Sequence, residues 1–352
     1  MDDATRTHIE RRNPPVTTKR SRATALIGAV LSAGLLLAGC GGGSGSGGTN
    51  DSGRIKITYA SFAGVTGMPA KFGQEKGFFE AEGLDVTFVT AEDPVAIVSS
   101  GDAEIADCDT TSALIAAGKG APIKIVSSMY RHKGPFYLIS RPDIDRVEDL
   151  KGKTVGIARK GAGLEAYVRV ILKKHGLTEK DVTLVPNGTH QEAYASLTNG
   201  QVDATIIHEP FVSLAEAEGT GKLLARGWDY LPTFHTGVEI ASERFIKENP
   251  EALKKFLTAY FKAASYAKAH PEEYLDFVEK QSDVDREVLK AALEREEPIW
   301  ENDPRVDLDD LRDTQQIQKD LGFQDTVYDP EDLVDTSQIP SPQEISAKAD
   351  AR

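Results

Sequence analysis

From Ile55 to Ile207 the apolar periodicity alternates between two residues and about 3.6, and it does so twice in the same order. Ile55-Lys56-Ile57-Thr58-Tyr59 alternates like a strand. A helix is expected over 70–82, closed by Gly83, then a strand from Leu84 to Val89 and a helix over 94–100 that stops at Gly101. Ile105-Ala106 opens another strand, 112–117 reads as a short helix, and Ile123 to Met129 reads as a buried strand. The second pass begins at Thr154–Ala158. Leu164, Val168, Ile171 and Leu172 share one helical face before Gly176. A strand at 182–185, a helix at 191–198 ending in Asn199-Gly200, and a strand at 204–207 complete the pass. Ile55 and Thr154 are 99 residues apart, as are Gly64 and Gly163, and Gly101 and Gly200. Strands alternating with helices imply mostly parallel sheets covered on both faces. The offset therefore predicts an α/β chain of two similar lobes, 54–140 plus 236–340 and 141–235, crossing over near Ser140 and His235. Helical runs at 250–270, 271–280 and 285–296 follow. The segment from Glu301 has 14 acidic and 5 basic residues. It is expected to wrap over the lobes, with residues 341–352 frayed.

The N-terminus reads as an address. Residues 1–39 hold six basic residues and an apolar run from Ala23 to Ala38, flanked by Lys19-Arg20-Ser21-Arg22 and ending in Leu37-Ala38-Gly39-Cys40. That order is the order of a signal peptide, and the run is short for a membrane span. The Cys at the cut site resembles the bacterial lipobox, so Cys40 is the expected lipidation point and new N-terminus. Residues 40–53 are a Gly/Ser-rich tether. The expected location is the outer face of a bacterial cell membrane, held there by the lipid. The whole chain carries −14 over 352 residues, and the part from Cys40 carries −17. An acidic balance excludes nucleic acid as the partner. With Cys40 lipidated, Cys108 has no second cysteine to pair with.

Ligands of open parallel sheets bind beyond the carboxyl ends of the strands. Four loops therefore matter: Ala60–Pro69, Asp107–Ser112, Arg159–Gly163 and His208–Phe211. The offset sets them face to face across a cleft. Each leads into a helix start, whose free N–H groups and dipole attract an anion. Thr110, Thr111 and Ser112 add hydroxyls, and Arg159 and Lys160 add charge. Helix capping is the commoner use of Thr110 and Ser112, and solvent exposure that of Arg159-Lys160. Gly161-Ala162-Gly163-Leu164-Glu165-Ala166 fits a dinucleotide fingerprint, but Val185 is followed by Pro186-Asn187 where an acid is required. The same glycines suit a smaller anion. Nucleophile-elbow and zinc-helix motifs are missing, and the seven histidines have no metal-ligand spacing. The sequence thus predicts no enzyme, no cofactor and no metal. His190, His208 and His235 are possible cleft residues.

Four motifs in order resemble the nitrate/sulfonate/taurine-type solute-binding proteins of ABC importers. They are Glu75–Val86 (EKGFFEAEGLDV), Asp149–Gly156 (DLKGKTVG), Leu197–Ala204 (LTNGQVDA) with Glu209-Pro210, and Asp320-Leu321-Gly322 with Asp332–Asp335. That family shares its fold with pyrimidine-precursor binders and with a thiamin-precursor synthase that carries a cysteine-rich run this chain lacks. The resemblance implies a type II periplasmic-binding fold, closing over a ligand at a hinge. It implies ligand contacts from Gly64, Thr66, Gly67 and Met68, from Asp109, Thr110, Thr111 and Ser112, and from Tyr130. Arg159, Lys160, Gly161, Ala162, Gly163, His208 and Glu209 complete the set. The chain departs from the pattern at His208, where many members have Trp, and at Ala162-Gly163-Leu164, where helix-opening loops are rich in Ser and Thr. The expectation is a monomeric, lipid-anchored receptor. It passes a small anion such as a sulfonate, nitrate or carboxylate to a permease driven by a cytoplasmic ATPase. The alternatives are a binder of a neutral heterocycle stacked on Tyr130 and an exported enzyme on the same fold.

Overall fold

The computed structural model describes residues 48–61, 67–91, 93–188 and 190–346, all within one compact unit. The signal peptide, Cys40, Gly64 and Thr66 lie outside the described residues.

The chain runs β1 (Ile55–Ser61), α1 (Met68–Glu75), α2 (Phe78–Ala81), β2 (Leu84–Thr90), α3 (Pro94–Ser100), β3 (Ile105–Asp109), α4 (Thr110–Gly118) and β4 (Ile123–Ser128). It continues with β5 (Tyr137–Ser140), β6 (Thr154–Gly156), α5 (Gly163–Lys174), β7 (Thr183–Val185), α6 (His190–Thr198), β8 (Ala204–Ile207), α7 (Phe211–Ala217) and β9 (Lys222–Arg226). Then come β10 (Gly237–Ser242), α8 (Glu243–Glu248), α9 (Pro250–Ala269), α10 (Pro271–Lys280), α11 (Arg286–Glu296) and α12 (Leu308–Asp320).

Two five-stranded sheets result, ordered β2-β1-β3-β10-β4 and β7-β6-β8-β5-β9. In the first, β10 runs antiparallel to β3 and β4; in the second, β5 runs antiparallel to β8 and β9. The remaining pairings are parallel. The echo is visible in the register: Ile55 faces Leu84 and Thr154 faces Thr183, both 29 residues on. Each lobe thus takes its one antiparallel strand from a crossing segment.

The first sheet buries one face against α1, α2, α9 and α10 through Tyr59, Phe72, Phe79, Phe256 and Phe261. Its other face packs on α3 and α4 through Val98, Leu114 and Ile125. The second sheet is covered by α5 on one face, through Val168, Ile171 and Leu172, and by α6 and α7 on the other.

Several expected boundaries shift. The helix over 70–82 is two helices, because Gly77 takes a left-handed φ of 77°. α4 starts at Thr110, two residues early, because the Asp109 carboxylate accepts the Ser112 N–H at 2.9 Å. β6 ends at Gly156, and Ala158 turns the chain at φ 58°. The first crossing lies between Ser128 and Tyr137 rather than near Ser140, since Tyr137–Ser140 pairs within the second sheet. Residues 48–53, assigned to the tether, are held against the lobe: Asn50 Nδ2 donates to Asp85 at 2.8 Å, and Thr49 bridges Ile55. Residues 341–346 are docked, not frayed. Ser265 Oγ donates to the Ile345 carbonyl at 2.8 Å, Lys254 pairs with Glu344 at 3.0 Å, and Ile345 joins the first core.

Candidate functional site

The first turns of α4 and α5 meet where the two lobes touch. β3 delivers Asp109, Thr110 and Thr111 at its carboxyl end. β6 delivers Arg159–Gly163 after the turn at Ala158. Asn187 holds that turn, its Oδ1 accepting the Ala158 N–H at 3.1 Å and its Nδ2 donating to Thr205 Oγ1 at 2.9 Å. A Cβ on Gly156 would collide with the Asn187 amide, so glycine is required there. A Cβ built on Gly163 would stand 3.4 Å from Thr111 Oγ1 and 3.8 Å from the Phe234 ring. The Arg159 guanidinium reaches across to Asp109 at 3.7 Å, with its side chain 58% exposed. Lys160 is exposed beside it.

α5 opens without a side-chain cap: Ala162 occupies the N-cap and offers no acceptor. Glu165 folds back to accept the Gly161 N–H at 2.5 Å and is paired with Arg169. The early N–H groups of an α-helix have no partner within the helix. The start of α5 therefore faces Thr111 with donors and a positive dipole end.

Thr110 and Thr111 are buried. Thr110 Oγ1 lies 3.2 Å from His235 Nδ1, and Thr111 Oγ1 accepts from Gln318 Nε2 at 3.1 Å. Gln318 belongs to α12, the part of the acidic C-terminal segment that bridges the lobes. Leu311 packs into the first lobe, and Ile317, Leu321 and Phe323 pack on the second. Thr314 Oγ1 accepts the His235 N–H at 2.9 Å. Burial pushes the His235 imidazole down to about 3, so the ring is neutral at ordinary pH.

Other expected residues sit elsewhere. Gly67 and Met68 open α1 and are buried, Met68 in the first core. Tyr130 is core rather than cleft: Trp300 lies 4.9 Å from its ring and the Arg131 guanidinium 4.7 Å. Glu209 is not presented to a ligand. It accepts from Ser213 N at 3.0 Å and Ser213 Oγ at 2.9 Å, and Arg295 of α11 pairs with it at 2.7 Å across the lobes. Burial nevertheless pushes its carboxyl up to about 7. His208 is buried with Nδ1 2.9 Å from the Glu209 carbonyl, and the Glu209–Pro210 bond is cis. Burial also pushes the Cys108 thiol up, which leaves it inert. Sequence reasoning missed Gln318 and Thr314. They stand on an acidic amphipathic helix with no chemical motif, and only tertiary packing turns them inward.

The architecture is that of the two-lobed periplasmic-binding proteins. A ligand-binding component of an ABC-type import system from Staphylococcus aureus superposes with a TM-score of 0.70 at 16% identity, covering 83% of this chain and 99% of that one. The alkanesulfonate-binding protein SsuA from Xanthomonas axonopodis pv. citri, bound to MOPS, gives 0.64 at 18%, covering 80% and 95%. Residues 68–274 match the family described as NMT1/THI5 like, and the chain belongs to it. A Bacillus subtilis (strain 168) protein named for binding aliphatic sulfonates is 28% identical over 303 residues, 84% of this chain and 88% of that one. The riboflavin-binding protein RibY of Chloroflexus aurantiacus is 29% identical over 264 residues, covering 71% and 74%. Yeast 4-amino-5-hydroxymethyl-2-methylpyrimidine phosphate synthases are also similar, at 27%.

Proposed function

We propose that this protein is a solute receptor of an ABC importer, exported and lipid-anchored at Cys40, that captures a small sulfonate or carboxylate between its lobes. The observation that carries the reading is the juxtaposition of the uncapped start of α5 with Thr111, with Arg159 at the rim. Ligand contacts are assigned to Thr110, Thr111, Ser112, Arg159, Lys160 and Gly161–Gly163. Resemblance to proteins named for binding sulfonates supports the same class.

Two electrostatic effects compete. The charge of −17 repels an anion at long range, but screening cuts this beyond about 8 Å at physiological salt. Locally, a helix N-terminus contributes about 0.3–1 kcal/mol at an exposed site. A charge-assisted hydrogen bond from Arg159 adds roughly 1.5–3 kcal/mol. The Arg159 side chain is exposed and stands 3.7 Å from Asp109, so it can leave that partner for a ligand at little expense. The local donors win.

The neutral-heterocycle reading, favoured by the likeness to RibY, lacks its stacking platform, because Trp300 and Arg131 occupy the surroundings of Tyr130. The enzyme reading, favoured by the likeness to the yeast synthases, lacks the cysteine-rich run: the chain holds only Cys40 and Cys108.

Titration calorimetry with ethanesulfonate tests the proposal. Arg159→Ala should weaken binding by about one to two decades. A wild type that takes up no small anion, or an Arg159→Ala variant as tight as wild type, overturns it.

A further inference from the structure

We infer that the binding site has a third wall, made by α12 and the second crossing, and that it selects anions carrying a hydrogen-bond donor near the acid group. Gln318 Oε1 and His235 Nε2 are buried and have no hydrogen-bond partner. Each belongs to a terminal group whose other polar atom is held on an adjacent threonine: Gln318 Nε2 on Thr111, His235 Nδ1 against Thr110. Thr314, one turn before Gln318 on α12, accepts the His235 N–H, so both side chains are anchored together. Thr111 in turn is the nearest first-lobe group to Gly163 of the second lobe. Gln318 and His235 therefore stand at the meeting point of both lobes and α12, with Thr111 between Gln318 and the start of α5.

Buried polar atoms are normally paired, and an orphan lowers stability. These two, with the companion atom of each terminal group already hydrogen-bonded, are oriented in advance to receive a polar group. A carboxamide oxygen only accepts, so its complement is an N–H or O–H. The neutral imidazole adds one further donor or acceptor but no charge. The wall thus recognises a neutral hydroxyl or an amine close to the acid head, and gives nothing to a plain alkyl chain.

This inference rests on the anion reading above, and a matched pair of probes separates the two. Wild type is titrated with ethanesulfonate and with 2-hydroxyethanesulfonate, which differ by one hydroxyl. The expected result is binding of both, with the hydroxylated compound about tenfold tighter, the worth of one hydrogen bond to a buried acceptor. Gln318→Met, similar in size and apolar, should erase that preference. Its unliganded melting temperature should change little, because the substitution removes the orphan oxygen and the bond to Thr111 together. Equal binding of the two compounds by wild type, or a preference that survives Gln318→Met, overturns the third wall and leaves the anion site standing. Failure of wild type to bind either compound overturns both.

Discussion

Gly163 sets how closely the second lobe can approach Thr111. A methyl there makes ordinary contact with Thr111 and Phe234, and no left-handed φ forbids a side chain. Gly163→Ala should bind near wild-type strength, whereas the branched Val should wedge the lobes and lose about tenfold or more. Calorimetry with ethanesulfonate checks the ranking, and a little-changed melting curve would place the loss in closure rather than in folding. At the neighbouring His235 the consequence is one of pH. The folded imidazole titrates near 3 and the unfolded one near 6.5. The unfolded chain therefore takes up the proton first. The contribution of neutral His235 is complete above about 6.5 and is lost as pH falls toward 3, at up to about 1.4 kcal/mol per pH unit. Stability of His235→Asn measured against pH should fall less steeply than wild type between pH 6.5 and 4. Parallel curves would show that the ring is not held neutral.

Among the elements, α12 and α11 are the ones that tie the lobes together. Leu311 of α12 is fully buried in the first lobe, and Leu311→Ala should cost about 2–5 kcal/mol in urea unfolding. Arg295 of α11 reaches Glu209 and Glu216 on the second lobe. Arg295→Met leaves Glu209 buried without its cation, a loss of roughly 1–3 kcal/mol while the carboxylate is ionised. Since Glu209 titrates near 7, that loss should be larger at pH 8 than at pH 6, and equal losses would refute the pairing. Much of this layer was legible in the sequence. Gly83, Gly101 and Gly176 end elements where glycine was expected to, at φ of 77°, 84° and 73°. Gly77 was missed because Phe78 and Phe79 continue the apolar period across the break. β5 and β10 were missed because short strands buried on both faces show no alternation; Tyr137–Ser140 and Gly237–Ser242 are buried throughout. At the site, Thr110 and Thr111 were legible because they follow a strand and open a helix. Gln318 was not, because nothing local reveals which face of an acidic helix will be covered. Tyr130 misled because an aromatic residue at a strand end serves a core as readily as a cleft.

In the whole molecule, the proposed capture of an anion between the lobes would couple binding to closure through the crossings and the two bridging helices. A saturating anion should compact the molecule in small-angle scattering and stabilise it by about 2.7 kcal/mol at a hundred times Kd. Stabilisation with no compaction would mean that the lobes are already shut without ligand. The exchange of strands between the sheets also bears on how the molecule is made. The second lobe's five strands, β5 to β9, are consecutive, so that half can finish as soon as Arg226 has emerged. The first cannot: β4 joins its sheet only through β10, which follows the entire second lobe. Until Gly237 arrives, β3 and β4 each present an unpaired edge, and open edges are where nascent chains stick to one another. The hazard during biosynthesis is therefore lopsided. It falls on residues 55–128, and any holding factor that escorts the growing chain has most to do there.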